Sequence, residues 1–368
     1  MSSSLPPPPE LSAEAVTDVL RGVEDPELHR DLVSLGMVKS VDIDGRRVAV
    51  EIELTTPACP LKNKIGDDVK AAVSGAWSDV EVEVSFGARV RAGGRASPEK
   101  QRLEGVKNII LVASGKGGVG KSTVAVNLAY ALKQLGAAVG LADTDVYGPS
   151  LHLMTGVDEA PRPDPSGDRM LPARAGGLPV VSMGLLIEPG QAVIWRGPML
   201  ASAAMQLITD VSWGELDYLV VDLPPGTGDV QLSIAQKLHV AGAVVVSTPQ
   251  DIALADVERA HAMFDKVGID TIGVIENMSY FVCDGCNKRH EIFASGGARA
   301  AAERLKTTFL GALPLDITLR EGGDTGRPVV QVEPDSEVAS SFRDIAGKIA
   351  ARLAVLAQGS GGHLHVVN

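Results

Sequence analysis

The stretch 109-IILVA-113, followed by 114-SGKGGVGKST-123, decides how the rest of the chain is read. Five apolar residues without alternation predict a strand buried on both faces. The next ten contain G-x-x-x-x-G-K-S, and the apolar run after them predicts a helix over Thr123–Leu135. A strand, a glycine-rich turn and a helix N-terminus together form a phosphate cradle. Gly115, Gly117, Gly118 and Gly120, with Val119 among them, let successive N–H groups curl around phosphate oxygens, and the helix dipole adds to the attraction. Lys121 is placed to reach the β- and γ-phosphates, Ser122 to ligate Mg²⁺, and Thr123 sits in the first helical turn. The ligands this predicts are ATP and Mg²⁺.

Working outward, similar runs recur at Val139–Ala142, Val180–Met183, Tyr218–Val221, Ala243–Ser247, Thr271–Ile275 and Phe309–Leu313. Helical stretches at Leu200–Val211, Asp256–Val267 and Ala298–Leu305 fall between several of them. This predicts an α/β nucleotide-binding domain over 106–357, with a doubly wound, mainly parallel sheet of about seven strands. Ligands bind such sheets at the carboxyl ends of the strands. Upstream, Ser12 caps a short helix, Val48, Val50, Ile52 and Leu54 alternate as a half-buried strand, and Asp44-Gly45 marks a hairpin. With a helix near Leu61–Ala76 and a strand at Val80–Phe86, residues 11–86 read as a small α+β domain. Residues 1–10 (Ser- and Pro-rich) and 358–368 read as tails, and the Gly- and charge-rich segment 87–105 as a flexible linker.

Two further strands end in carboxylates. Tyr218–Val221 leads into Asp222 and then 223-LPPGTGD-229, the position of a carboxylate that holds Mg²⁺ through water, with the Pro- and Gly-rich stretch behind it expected to act as a γ-phosphate switch. The second strand of this domain ends in Asp143-Thr144-Asp145, one carboxylate to orient the attacking water and one for the metal shell. Lys121, Asp143, Asp145 and Asp222 are the candidate catalytic residues read from the motifs themselves.

The segment 276-ENMSYFVCDGCNKRH-290 carries a second chemistry. Cys283 and Cys286 stand in C-x-x-C spacing, which lets two thiolates reach one metal. Three readings remain open: a redox disulfide, zinc held by Cys283, Cys286 and His290, or an iron–sulfur cluster. A cluster typically needs four cysteinates, and a symmetric dimer would supply two from each chain.

The loop pattern K-G-G-x-G-K-[ST] resembles that of the deviant Walker A ATPases, which implies that Lys116 contacts the nucleotide of a facing subunit in an ATP-dependent homodimer. More specifically, GKGGVGKST (115–123), DTDVYGPS (143–150), WRGPM (195–199), VDLPPGTGD (221–229), TPQDIALADV (248–257), ENMSYFVCDGC (276–286) and LPLDITLREGGDTGRP (313–328) resemble the Mrp (ApbC) family of iron–sulfur cluster carrier ATPases. The front domain, with VEDPEL (23–28), LGMV (35–38) and TTPACP (55–60), is similar to a small domain of iron–sulfur assembly factors. The resemblance implies an ATP hydrolase in which Cys283 and Cys286 bind a 4Fe-4S cluster shared between two subunits. It further implies transfer of that cluster to apoprotein acceptors, contact with assembly scaffold proteins, and adenine recognition by Asn277.

Composition narrows the alternatives. A net charge of −12 and 4% aromatic residues argue against nucleic acid held by bulk electrostatics or base stacking. Three cysteines in 368 residues are no disulfide framework, and the start has neither basic nor apolar signal regions, so a cytoplasmic location is expected. Cys59 reads either as a delivery thiol or as a small buried hydrophobe. Ile345, Ile349, Leu353 and Leu356 share one helical face, expected to dock on the sheet and not on a membrane. The competing functional reading is a ParA/MinD-like positioning ATPase acting on DNA or membrane.

Overall fold

The computed structural model describes residues 10–94, 99–165, 167–186 and 197–359. Most of both tails, including His363 and His365, and the start of the WRGPM motif lie outside them. The chain divides into two compact units, Met1–Val90 and Arg91–Asn368.

In the first unit, Ser12 caps α1 (Ala13–Leu20), its hydroxyl accepting the Ala15 N–H at 3.2 Å. Strands β1 (Val38–Asp44) and β2 (Arg47–Leu54) form the antiparallel hairpin, and β3 (Glu81–Ala88) returns parallel to β2 after α2 (Lys62–Ala76). The alternation on β2 puts Val48, Val50, Ile52 and Leu54 into a core completed by Val16 and Leu20 of α1 and Ile65, Val69 and Val73 of α2. This is the small α+β architecture expected.

The second unit is built on β4 (Val106–Ala113), β5 (Val139–Asp143), β6 (Leu178–Ser182), β7 (Leu216–Asp222), β8 (Gly242–Ser247), β9 (Thr271–Val282) and β10 (Thr308–Pro314). Each apolar run of the sequence is one of these seven strands. They lie in the order β6-β5-β7-β4-β8-β9-β10, and every neighbouring pair is parallel. Two short antiparallel strands, Ala173–Ala175 on β6 and Arg289–His290 on the far end of β9, extend the sheet to nine. Unalternating apolar strands demand cover on both faces, and helices provide it. These are α3 (Lys121–Gln134), α4 (Leu151–Thr155), α5 (Gly197–Thr209), α6 (Asp229–Lys237), α7 (Asp251–Lys266), α8 (Gly297–Arg304), α9 (Ile317–Thr325) and α10 (Glu337–Gly359). On α10, Phe342, Ile345, Ile349 and Leu353 are buried, so the apolar face of this helix is spent on the protein itself.

The described parts of the segment 87–105, which leave out 95–98, differ from a uniform linker. Strand β3 continues to Ala88, while residues from Arg91 onward belong to the second unit. There the Gly93 N–H donates to Asn108 Oδ1 at 2.7 Å, and Asn108 Nδ2 donates to the Arg91 carbonyl at 3.0 Å. A Cβ on Gly94 would lie 2.6 Å from the Val240 carbonyl oxygen. Its glycine serves close approach of backbone to backbone, not mobility.

Candidate functional site

The register of the sheet gathers the chemistry at one edge. Asp222 at the end of β7 pairs with Asp143 on one side and with Val112 on the other, just ahead of the glycine-rich loop. That loop closes on α3 with Gly118 at φ +78° and Gly120 at φ +77°, conformations that L side chains rarely adopt. A Cβ on Gly120 would also lie 2.2 Å from Asn277 Nδ2, so the position is fixed twice over. Where Cβ atoms would stand on Gly117 and Gly118 there is open space, as a phosphate cradle requires. The first-turn N–H groups of α3, Lys121 to Thr123, have no partners within the helix and point to the same place.

Lys121 is 6% exposed, and its Nζ lies 2.5 Å from Asp222 Oδ1 and 3.2 Å from Ser122 Oγ. Ser122 Oγ in turn donates to Asp222 Oδ2 at 2.6 Å. The three side chains named from the motifs are therefore in direct contact. Burial pushes the Asp222 carboxyl up from the ordinary range, while the Lys121 ammonium and the Ser122 hydroxyl pull it back. Lys116 is half-buried in the loop, and among the described residues its ammonium has no ion-pair partner.

The two aspartates at the end of β5 separate in role. Asp143 is fully buried, and its oxygens accept from the N–H groups of Asp145 (3.1 Å), Ser150 (3.0 Å) and Leu151 (3.1 Å) and from Ser182 Oγ (2.8 Å). Burial and the neighbouring Asp222 carboxylate push its pKa up to about 7 against those donors. Asp143 thus anchors the loop 145–151. Asp145 is only half-buried and lines a cleft of about 520 Å³ with Tyr147, Leu200, Pro224, Pro225 and Gln231. On the opposite wall the Asp222–Asp229 segment is pinned. Gln231 Nε2 donates to the Pro224 carbonyl at 2.7 Å, and the Gly226 N–H donates to the Ser114 carbonyl at 2.8 Å.

Asn277 closes the far side of the loop. It is 3% exposed, its Nδ2 donates to the Val119 carbonyl at 2.9 Å, and its Oδ1 is the one buried side-chain N or O atom without a hydrogen-bond partner among the described residues. A buried acceptor of this kind is costly unless something donates to it. The amino group of an adenine is a donor of the right type.

Cys283 and Cys286 stand six and nine residues further along, on the hairpin that joins β9 to Arg289–His290. The Cys283 N–H donates to the Lys288 carbonyl at 3.0 Å, the Asn287 N–H donates to the Cys283 carbonyl at 2.8 Å, and Arg289 stacks 3.8 Å over the Tyr280 ring. Cys283 is half-buried and Cys286 exposed, both as free thiols. Backbone N–H groups of Gly285 and Cys286 hold the Cys283 thiol below its usual range. Among the described residues no three His, Cys, Asp or Glu side chains converge where they could hold a metal ion, so His290 does not complete a site with the two cysteines. Cys59, in the first unit, packs beside that unit's core, and burial pushes its thiol up to about 11.

Sequence reasoning missed three residues of this region: Gln231, Ser182 and Glu276. Glu276 is 1% exposed, and it accepts from Ser279 Oγ (2.6 Å) and the Gly296 N–H (2.9 Å) on Oε1 and from the Ala298 N–H (2.8 Å) on Oε2. The signal was present, because Glu276 is a carboxylate directly after the apolar run Thr271–Ile275, as Asp143 and Asp222 are after theirs.

The comparisons with known proteins cover both units. A family model described as NUBPL iron-transfer P-loop NTPase matches residues 105–350, and one described as an iron–sulfur cluster assembly protein matches residues 13–85. An iron–sulfur cluster carrier protein of Deinococcus radiodurans is 48% identical over 342 residues, 93% of this chain and 96% of its own. One of Synechocystis is 46% identical over 351 residues, 94% of this chain and 99% of its own. An Arabidopsis thaliana iron–sulfur protein required for NADH dehydrogenase, mitochondrial, is 49% identical over 263 residues, 71% of this chain and 83% of its own. Among solved structures, a nucleotide-binding protein of Archaeoglobus fulgidus in complex with ADP superposes with a TM-score of 0.57 at 35% identity, covering 66% of this chain and 94% of that one.

Proposed function

We propose that this chain, which belongs to the NUBPL iron-transfer P-loop NTPase family, is a homodimeric ATPase that holds a 4Fe-4S cluster as cargo between two subunits and passes it to apoproteins. The observation that carries the reading is the composition of the β9 hairpin. It offers two thiols, one of them held toward the thiolate form, and no third metal-ligating side chain converges with them among the described residues. A four-cysteinate cluster is then complete only when two hairpins meet.

The phosphate loop supplies the nucleotide half of the proposal. Lys121 exchanges its contact with Asp222 for phosphate oxygens, and Ser122 and Asp222 would hold Mg²⁺, which would neutralise phosphate charge. Asp145, the carboxylate left unsaturated beside the cleft, orients the attacking water, and Asp143 holds the Asp145 loop in place. Asn277 Oδ1 accepts from the adenine amino group, and Lys116 reaches the nucleotide of the facing subunit. No helix of the described residues is long and apolar enough to cross a membrane. The apolar face of α10 is buried against the protein, which favours the carrier over an ATPase that lays this helix on a membrane.

A transfer assay tests this. Protein reconstituted anaerobically with iron and sulfide is mixed with an apo-enzyme that needs a 4Fe-4S cluster, in the presence of an iron chelator. Wild type restores the enzyme's activity, Cys283→Ala and Cys286→Ala do not, and Cys59→Ala does. Restoration by either hairpin variant at the wild-type rate would refute the carrier reading.

A further inference from the structure

Strand β9 carries Asn277 of the nucleotide site and leads at its end into the cysteine hairpin, and the sheet is interrupted between them. On β9, Glu276 pairs with Ala312 of β10 and Tyr280 with Pro314, so β9 advances four residues where its neighbour advances two. The two surplus residues form a bulge in the parallel ladder. Within it Met278 has φ +54°, and among the described residues it is the one non-glycine residue inside a strand with positive φ. Such a conformation persists only where its surroundings impose it.

Those surroundings are named contacts at both ends. On the nucleotide side, Asn277 Nδ2 is bonded to the Val119 carbonyl, and the Met278 Cε lies 3.7 Å from where a Cβ on Gly120 would stand. Ser279 Oγ donates to Glu276 Oε1 at 2.6 Å and closes the bulge from within. On the cysteine side, the Leu315 N–H donates to the Tyr280 carbonyl at 2.6 Å and restores the ladder. Phe281 and Val282 then pair with His290 and Arg289 to carry the hairpin of Cys283 and Cys286. An unbroken strand would lose a displacement at Asn277 into its bonds with β10. A bulge frees those residues from the neighbour's register and hands the displacement to the next three.

We infer that the bulge at Asn277–Ser279 is a stiff joint through which nucleotide occupancy of the phosphate loop is transmitted to the cysteine hairpin. The inference rests on the nucleotide-binding half of the proposed function and needs no cluster to be tested. A base donating to Asn277 Oδ1 moves one end of the joint, and the hairpin, held beyond Tyr280, moves with the other.

Hydrogen exchange of the full-length, cluster-free chain, with and without ATP, reads both ends at once. In wild type, ATP should slow exchange over residues 115–123 and also change exchange over residues 281–290. Glycine accepts positive φ without strain, so Met278→Gly should fold while softening the joint. It should keep protection of the loop and lose the response of the hairpin. Met278→Leu, which keeps a bulky side chain on the same strained backbone, should retain both. A wild-type hairpin that ignores ATP while the loop is protected would overturn the joint, as would a Met278→Gly variant that responds like wild type. Absence of protection in the loop itself would remove the nucleotide reading, and the joint with it.

Discussion

The chemistry of single residues here is set by which donors reach them. Cys283 and Cys59, of identical intrinsic acidity, end in different states because Cys283 accepts two backbone N–H groups while Cys59 is half-buried beside a core. Only the thiolate attacks an alkylating reagent or ligates iron. A thiol at about 11 is thiolate to about one part in a thousand at pH 8, so Cys59 should be among the slowest sites. In iodoacetamide labelling of the native protein near pH 7.5, read by peptide mass, Cys283 should be modified well before Cys59. Cys59 labelling should climb about tenfold per pH unit and level off only near its own pKa. Equal rates for the two at neutral pH would contradict this assignment. The same donor logic shows what sequence conceals at this scale. Asp143 and Asp145 look equivalent in 143-DTD-145, yet one is saturated by a loop that folds back eight residues later and the other faces the cleft. No local pattern announces which carboxylate the loop will choose.

Among the elements, the strands and their parallel pairing were legible and their order was not. A run buried on both faces has no alternation, and that property is visible in Ile109–Ala113 or Ala243–Ser247 before any pairing is known. The order β6-β5-β7-β4-β8-β9-β10 depends on tertiary contacts, and so does the bulge in β9, since nothing in ENMSY marks a surplus of two residues. Glycines in 87–105 suggested a linker because glycine is ambiguous between freedom and close packing, and Gly94 is of the second kind. Glu276 joins two elements, holding the start of α8 to the middle of β9 through both of its oxygens. Glu276→Gln puts an N–H₂ where one of those N–H groups needs an acceptor and removes a charge-assisted bond. We expect a loss of about 1–3 kcal/mol, seen as a lower midpoint in urea with an unchanged slope. An unchanged midpoint would show that β9 and α8 hold together without it.

For the molecule as a whole, the two units each have their own sheet and core. Residues 91–368 should therefore fold alone, bind ATP as the full chain does, and assemble the cluster, since the loop, Asn277 and both hairpin cysteines all lie within them. Circular dichroism and nucleotide titration check the first two. A fragment that folds but no longer takes up iron and sulfide would make the first unit, with Cys59, part of the cargo site. The central claim, that the cargo belongs to a pair of chains, is tested most directly by native mass spectrometry of the anaerobically reconstituted full-length protein. A shared cluster should appear as a dimer carrying one 4Fe-4S cluster, with bare monomer beside it and no cluster on Cys283→Ala or Cys286→Ala. A monomer carrying a complete cluster, or a cysteine site that retains zinc through reconstitution, would contradict it.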